Sequence, residues 1–337
     1  MTGAITTEAA MWLAVEQAEA VKGGTYPNPP CGAVILDRDG RVVGVGATEP
    51  VGGAHAEVMA LRRAGGLAAG GTAVVTLEPC NHHGRTPPCV DALLTAGVTT
   101  VLYAVADPNP VAADGARRLA ASGVRVVAGV GAETVTGGPL REWLHKQRTG
   151  LPHVTWKYAT SLDGRSAAAD GSSRWITSEA ARAEVHRRRA VVEAIMVGTG
   201  TVFADDPALT ARRPDGTLAA RQPLRVVVGN REVSSDCQVL NEDSRTMIIR
   251  THDPAEVLAA LSDRTDVLLE GGPTLAGAFL RAGAVDRILA YMAPILLGGP
   301  ITAVDDIGVP SIDRALRWRY DGVQQIGPDL LVSLVPR

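Results

Sequence analysis

The stretch Glu78-Pro79-Cys80-Asn81-His82-His83-Gly84-Arg85-Thr86-Pro87-Pro88-Cys89 decides how the first half of the chain is read. It follows directly on the β-branched run Thr72 to Leu77, a strand signal, and Pro87-Pro88 suit the opening turn of a helix expected from about Cys89 to Ala96. Upstream stands His55-Ala56-Glu57 at the start of another expected helix. One imidazole, two thiolates and a carboxylate two residues from the histidine are the set that catalytic zinc uses: three protein ligands leave a fourth tetrahedral position for water. Zinc deaminases also need a general acid/base that is not a ligand, and Glu57 supplies it. A lone histidine or cysteine here reads as a buried core residue, and a closed structural zinc site or a metal-free cluster is the plainer alternative. The two elements together, each between a strand and a helix, favour catalysis.

Outward from this stretch, the first half alternates strands and helices. A helix is expected from about Glu8 to Val21 before Gly23-Gly24, and a hairpin from Gly32–Leu36 through Asp37-Arg38-Asp39-Gly40 to Val42–Gly46. Further strands fit Val101–Val105 and Val124–Val127, with a helix between them. This is an α/β layered unit. A polar segment from Lys146 to Pro152 marks the boundary, giving domains at 1–147 and 151–337.

The second half restarts with a strand from His153 to about Tyr158. Strands follow at Ala194–Val197, Arg225–Val228, Thr246–Ile249, Val267–Leu269, Arg287–Tyr291 and Leu330–Leu334, and helices at Ser178–Ala190, Pro254–Leu261 and Thr274–Ala282. Short glycine-bearing or polar runs sit at the strand ends: Ser161-Leu162-Asp163-Gly164-Arg165, Gly198-Thr199-Gly200-Thr201, Asp205-Asp206-Pro207 and Glu270-Gly271-Gly272-Pro273-Thr274. Glycine there lets backbone amides approach a phosphate or ribose, and a helix opening at Thr274 presents unpaired N–H groups to an anion. No G-x-G-x-x-G follows an early strand, so a nucleotide fold other than the ordinary dinucleotide-binding one is required.

The 337 residues exceed the usual size of one domain, and the 46% hydrophobic share with 4% aromatics describes a globular protein with Ala, Val, Leu and Ile cores. A net charge of −3 offers no basic field for nucleic acid, so a small-molecule substrate is favoured. The opening residues do not read as a secretory signal, no apolar run is long enough to span a bilayer, and the expectation is a cytoplasmic protein whose four cysteines are metal ligands or buried thiols.

The Glu78–Cys89 stretch resembles the pyrimidine deaminase of riboflavin biosynthesis, the deaminase half of the RibD family. That resemblance implies a cytidine-deaminase-like α/β/α domain in which His55, Cys80 and Cys89 hold Zn2+ and Glu57 shuttles protons. It also places Asn28, His83 and Arg85 against the ribose phosphate of the substrate. The chain departs from the family pattern at Thr48 (usually His), Ala54 (usually Pro), Asn81 (usually Ser) and Pro30-Cys31 (usually Asn-Val).

The strand-end runs of the second half resemble the reductase half of the same family, which implies a dihydrofolate-reductase-like α/β domain using NADPH. Ala159, Trp175, Thr201, Asp205 and the loop Gly272-Pro273-Thr274-Leu275-Ala276-Gly277-Ala278 are the matching cofactor contacts. Ser173, Arg189, Leu209, Arg212 and Glu270 are the matching substrate contacts, and Lys157 lies where it could reach the sugar or its phosphate. The resemblance implies two reactions, hydrolytic removal of the 2-amino group of 2,5-diamino-6-ribosylamino-4(3H)-pyrimidinone 5′-phosphate and NADPH reduction of its ribosyl group, in a homo-oligomer without nucleic-acid or membrane partners. The alternative is a reductase carrying an impaired or retargeted deaminase domain.

Overall fold

The computed structural model describes residues 3–84 and 86–337, and the chain divides into two compact units between Gly150 and Leu151. Among the described residues no helix is long and apolar enough to cross a membrane.

The first unit runs α1 (Thr7–Ala20), β1 (Gly32–Leu36), β2 (Val42–Ala47), α2 (Ala56–Ala64), β3 (Thr72–Leu77), α3 (Cys89–Thr95), β4 (Thr100–Val105), α4 (Gly115–Ala121), β5 (Arg125–Ala128), α5 (Ala132–Gly137) and α6 (Arg141–Thr149). Its sheet has the order β2-β1-β3-β4-β5, with β1 antiparallel to both neighbours and β3, β4 and β5 parallel. The runs Gly32–Leu36 and Ala73–Leu77 are buried throughout, as strands covered on both faces must be. Glycines bring the helices down onto the sheet: a Cβ on Gly32 would lie 1.9 Å from the Ala14 carbonyl oxygen in α1, and one on Gly46 2.3 Å from that of Ala56 in α2. The expected hairpin, the central strands and the Cys89 helix stand within a residue or two of the sequence reading. The helices α5 and α6 were not foreseen, although α6 turns Trp143 and Leu144 inward from an otherwise polar run. Lys146 to Thr149, expected as linker, form the last turn of α6, which stops at Gly150 in the left-handed conformation.

The second unit runs β6 (His153–Ser161), α7 (Glu179–Val191), β7 (Ala194–Gly198), α8 (Thr199–Asp205), β8 (Leu224–Val228), β9 (Thr246–Ile249), α9 (Pro254–Ala260), β10 (Asp266–Leu269), α10 (Pro273–Arg281), β11 (Arg287–Ala293), β12 (Trp318–Ile326) and β13 (Asp329–Pro336). Its sheet order is β12-β13-β11-β6-β10-β7-β8-β9, parallel from β11 to β9, with β13 antiparallel to β11 and β12 antiparallel to β13. β12 was missed because its side chains are exposed along nearly the whole strand, so no alternation of apolar and polar residues marks it. The run from Thr199 to Asp205, read as strand-end loops, is the helix α8, and Gly272 to Ala278 is not a loop but the N-cap and first turns of α10.

Candidate active site

In the first unit the parallel strands β3 and β4 end at the same edge of the sheet, where α2 and α3 begin. Ligands of open α/β sheets bind at such carboxyl ends. His55 is the N-cap of α2, and Glu57 sits in its first turn. Cys80 lies beyond the end of β3 and Cys89 opens α3, so only one of the two thiols is on a helix. The two are still tied: the Cys89 backbone N–H donates to Cys80 Sγ at 3.4 Å and the Val90 N–H to the Cys80 carbonyl at 3.3 Å.

His55 Nδ1 stands 3.5 Å from Cys80 Sγ and 3.3 Å from Cys89 Sγ, and one donor atom from each of the three lies within 4.8 Å of the others. Zinc at about 2.3 Å from sulfur and 2.0–2.1 Å from nitrogen holds such atoms about 3.6 Å apart at a tetrahedral angle, so this donor set fits the ion. The thiols are not equivalent. Cys80 is brought down to about 4, first by a hydrogen bond from Cys89 and then, against burial, by His55, whereas Cys89 is pushed up by its bond to Cys80 and by its burial. Glu57 is 5% exposed, and burial together with the Cys80 thiolate raises its carboxyl to about 7.

These groups open into a cavity of about 360 Å3 that also includes Asn28, Cys31, Thr48, Glu78, His82, Asp107, Asn109, Trp143 and Gln147. Asn28 lines this cavity. His83 does not: it is exposed and absent from the lining, and its neighbour His82 turns inward with Nδ1 buried and without a hydrogen-bond partner among the described residues. Arg85 lies outside the described residues. Of the four departures from the family pattern, two reach the cavity. Thr48 Oγ1 accepts from the Cys31 N–H at 3.1 Å, and both residues line the space. Ala54 donates its N–H to Glu49, and Asn81 Oδ1 accepts from Arg118, both away from the lining. Asp107 and Asn109 were missed. Their signal was present in the sequence, an acid and an amide in the loop after the strand that neighbours β3.

In the second unit Ala159 lies on β6, Thr201 and Asp205 lie in the helix that follows β7, and Glu270 and Gly272 follow β10. Thr201 Oγ1 accepts from the Gly272 N–H at 3.1 Å, joining α8 to the N-cap of α10. A Cβ on Gly271 would meet Leu275 Cδ2 at 2.9 Å and Leu269 Cδ1 at 3.0 Å, so those side chains pack against the backbone leading into α10. Within Gly272 to Ala278, Ala276 and Gly277 are buried toward the core because the second turn of α10 faces the sheet, which leaves the first turn for contacts. Asp205 ends α8, its carbonyl accepting from Arg174. Trp175 is exposed beneath the guanidinium of Arg182, 4.5 Å from the ring centroid, and Ala159 is half-buried on β6.

Arg189 is not on a solvated helix face. Its Nε and Nη2 each donate to Glu270 at 2.8 Å, its Nη1 donates to the Thr210 carbonyl at 3.2 Å, and Lys157 Nζ stands 3.5 Å from Glu270. Burial opposes the Glu270 charge, and Arg189 and Lys157 outweigh it, bringing the carboxyl to about 2. Arg212 donates to Gly216 within its own turn, Ser173 is half-buried, and the Leu209 side chain is 3% exposed in a core cluster with Ile195 and Val227, leaving only its backbone to face a ligand. His186, one turn before Arg189, was missed. Its Nδ1 is buried without a hydrogen-bond partner among the described residues, and burial and Arg189 lower its pKa.

Known proteins match both halves. The model of the cytidine and deoxycytidylate deaminase zinc-binding region matches residues 5–105, and that of the RibD C-terminal domain matches residues 152–332. The riboflavin biosynthesis protein RibD of Mycobacterium tuberculosis is 72% identical over 328 residues, 97% of each chain. That of Escherichia coli K12 is 39% identical over 366 residues, 96% of this chain and 98% of its own. Among solved structures, RibD of Acinetobacter baumannii superposes with a TM-score of 0.85 at 36% identity, covering 98% of this chain and 99% of its own. The two folds, the zinc-fitting cluster of the first unit and these matches converge on one conclusion: the chain belongs to the RibD family of bifunctional riboflavin-biosynthesis enzymes, with a deaminase unit followed by a reductase unit.

Proposed function

We propose that the first unit deaminates 2,5-diamino-6-ribosylamino-4(3H)-pyrimidinone 5′-phosphate and that the second reduces the ribosyl group of the product with NADPH, giving 5-amino-6-ribitylaminouracil 5′-phosphate. The observation that carries this is the placement of His55 Nδ1 at 3.5 and 3.3 Å from the Cys80 and Cys89 sulfurs, with Glu57 buried in the same cavity. His55, Cys80 and Cys89 hold zinc, which supplies the Lewis acidity that makes water a nucleophile at neutral pH. Glu57 takes one proton from the attacking water and gives it to the ring nitrogen, then carries the second, from the hydroxyl now on the ring carbon, to the amine, so that the carbonyl forms as ammonia leaves. Asn28, His82, Asp107 and Asn109 present amide, imidazole and carboxylate groups to the pyrimidine and its ribose phosphate.

In the second unit Thr201, Asp205, Trp175, Ala159 and the first turn of α10 orient NADPH, which carries the reducing step. Lys157, Arg189 and Glu270, with Ser173, the Leu209 backbone and Arg212, hold the sugar end of the substrate. Because the Arg189 fork is engaged by Glu270, the pair positions its neighbours, and Lys157, more distant from Glu270, is the cation freer to meet a ligand.

The test follows ammonia release and NADPH oxidation separately on the diaminopyrimidinone ribosyl phosphate, with and without a zinc chelator. Chelation is expected to abolish ammonia release and to leave oxidation of NADPH by supplied deaminated intermediate intact. NADPH oxidation without any ammonia from the first substrate, chelated or not, overturns the deaminase assignment.

A further inference from the structure

We infer that Arg231 and Arg250 form the site that selects NADPH over NADH, by binding the phosphate on the 2′-oxygen of the adenosine ribose. The inference rests on the reading of the second unit as an NADPH reductase.

The direction of the cofactor follows from the strand order. The Lys157/Glu270 cluster belongs to β6 and β10, and β7, β8 and β9 lie in that order on the far side of β10. A dinucleotide whose nicotinamide reaches that cluster and whose pyrophosphate lies at Gly272 must extend its adenosine along the carboxyl ends of β7, β8 and β9. At about 4.8 Å per strand, the ends of β8 and β9 lie roughly 10 and 14 Å from β10, on the adenosine side of the pyrophosphate.

Arg231 and Arg250 stand at those two ends. Val228 and Ile249 are the last paired residues of β8 and β9, and the Gly229 N–H still donates to the Ile249 carbonyl at 3.0 Å. Arg250 therefore leaves its strand beside Gly229, and its Nη1 donates to the Asn230 carbonyl at 3.4 Å, next to Arg231. Arg231 lies over the exposed Phe203 ring, 4.6 Å from its centroid, and a Cβ on Gly200 would be 3.4 Å from its Nη2. Arg231 is thus placed against the turn that carries Thr201, the residue bonded to Gly272. Gly229 takes φ +132°, and a Cβ there would meet Thr199 Oγ1 at 2.7 Å, so the end of β8 is held tightly against α8.

Several arginines of this unit lack a counter-charge among the described residues; what singles out these two is that they do so at the adjoining ends of β8 and β9, against α8. Arg189 is spent on Glu270, Arg188 on Glu184 and Arg287 on Asp321. Neither Arg231 nor Arg250 makes an ion pair among the described residues, and both are exposed at the sheet edge. NADPH differs from NADH only by a phosphate dianion, for which planar, permanently charged donors are the matched partner.

The experiment measures kcat and KM for NADPH and for NADH on the deaminated intermediate, using the full chain and its Arg231→Gln, Arg250→Gln and doubly substituted forms. Ammonia release is followed alongside as a check on the fold. The double variant is expected to raise KM for NADPH by about tenfold or more, with KM for NADH moving less than about twofold. Equal losses with both cofactors overturn the inference in favour of a contact to the shared adenosine. A native enzyme that prefers NADPH, with variants that keep the preference, overturns it while leaving the NADPH reading in place. A native enzyme that uses NADH equally well overturns both.

Discussion

Arg189 on α7 and Glu270 at the end of β10 meet as a two-pronged pair, Nε to Oε1 and Nη2 to Oε2 both at 2.8 Å, with side chains only 16% and 8% exposed. Two elements 81 residues apart in sequence are thereby fixed beside the sheet edge from which α10 starts. Removing one partner of a buried pair leaves the other charge uncompensated, at a cost of about 3–5 kcal/mol. Glu270→Gln leaves both Arg189 and Lys157 in that position and is expected to destabilise the second unit by this amount in urea unfolding. Arg189→Met combined with Glu270→Gln should cost less than the sum of the single changes. A loss under about 1 kcal/mol for Glu270→Gln contradicts the assignment.

The same pair sets a pH dependence. Burial alone would raise the Glu270 carboxyl, and Arg189 and Lys157 instead hold it at about 2, against about 4.3 for an unfolded glutamate. A carboxylate whose folded pKa is depressed contributes stability that is fully present above the unfolded value and lost as pH falls toward the folded one. Unfolding of the second unit should therefore keep this contribution from pH 7 down to pH 5. It should then lose about 3 kcal/mol between roughly pH 4 and pH 2, and Glu270→Gln should abolish most of that slope. An unchanged slope in the variant assigns the acid lability to other carboxylates.

Gly46 on β2 governs the deaminase site from a distance. A Cβ there would lie 2.3 Å from the Ala56 carbonyl oxygen and 2.5 Å from the Ala60 N, contacts no side chain can relieve because both partners are backbone. The helix that would have to lift is α2, whose first turn carries His55 and Glu57. Gly46→Ala is expected to lower zinc content and to cut ammonia release at least tenfold, with NADPH oxidation by deaminated intermediate within about twofold of normal. Gly52→Ala, where a Cβ meets nothing within 4 Å, is not a matched control because Gly52 has φ +93°; Gly66→Ala, equally open and without positive φ, is. Equal ammonia release in Gly46→Ala and Gly66→Ala contradicts the coupling.

The sequence revealed most where chemistry and punctuation coincide. His55, Glu57, Cys80 and Cys89 stand out because each falls where a strand or turn gives way to a helix, and their residue types admit few uses. The strands of both sheets were legible from β-branched runs such as Thr72–Leu77 and Thr246–Ile249, which need only local pattern. His82 and His83 are adjacent and chemically identical, and only the loop path shows which ring turns inward. Charge alone could not separate Arg189 from Arg187 and Arg188, since burial of one side of α7 depends on the Glu270 partner far along the chain. β12 has no apolar stripe of its own, so its existence depends on a tertiary partner that sequence pattern does not display.

Thr201 supplies the last test. Its hydroxyl oxygen accepts the Gly272 N–H at 3.1 Å, which ties α8 to the N-cap of α10. Thr201→Val keeps the shape of the side chain and removes the acceptor, leaving a half-buried N–H to find another partner. A neutral hydrogen bond of this kind contributes about 1 kcal/mol, which corresponds to roughly fivefold in binding. If the bond pre-sets the α10 turn for the cofactor, Thr201→Val should raise KM for NADPH and for NADH by that factor, with kcat within about twofold and global stability lowered by no more than about 1.5 kcal/mol. Thr201→Ser restores the acceptor and should return both KM values toward normal. A KM unchanged in Thr201→Val, with stability lowered as stated, makes the bond a structural tie with no bearing on the cofactor. Rescue by serine of the KM values as well as of stability is the result that assigns Thr201 to the binding site.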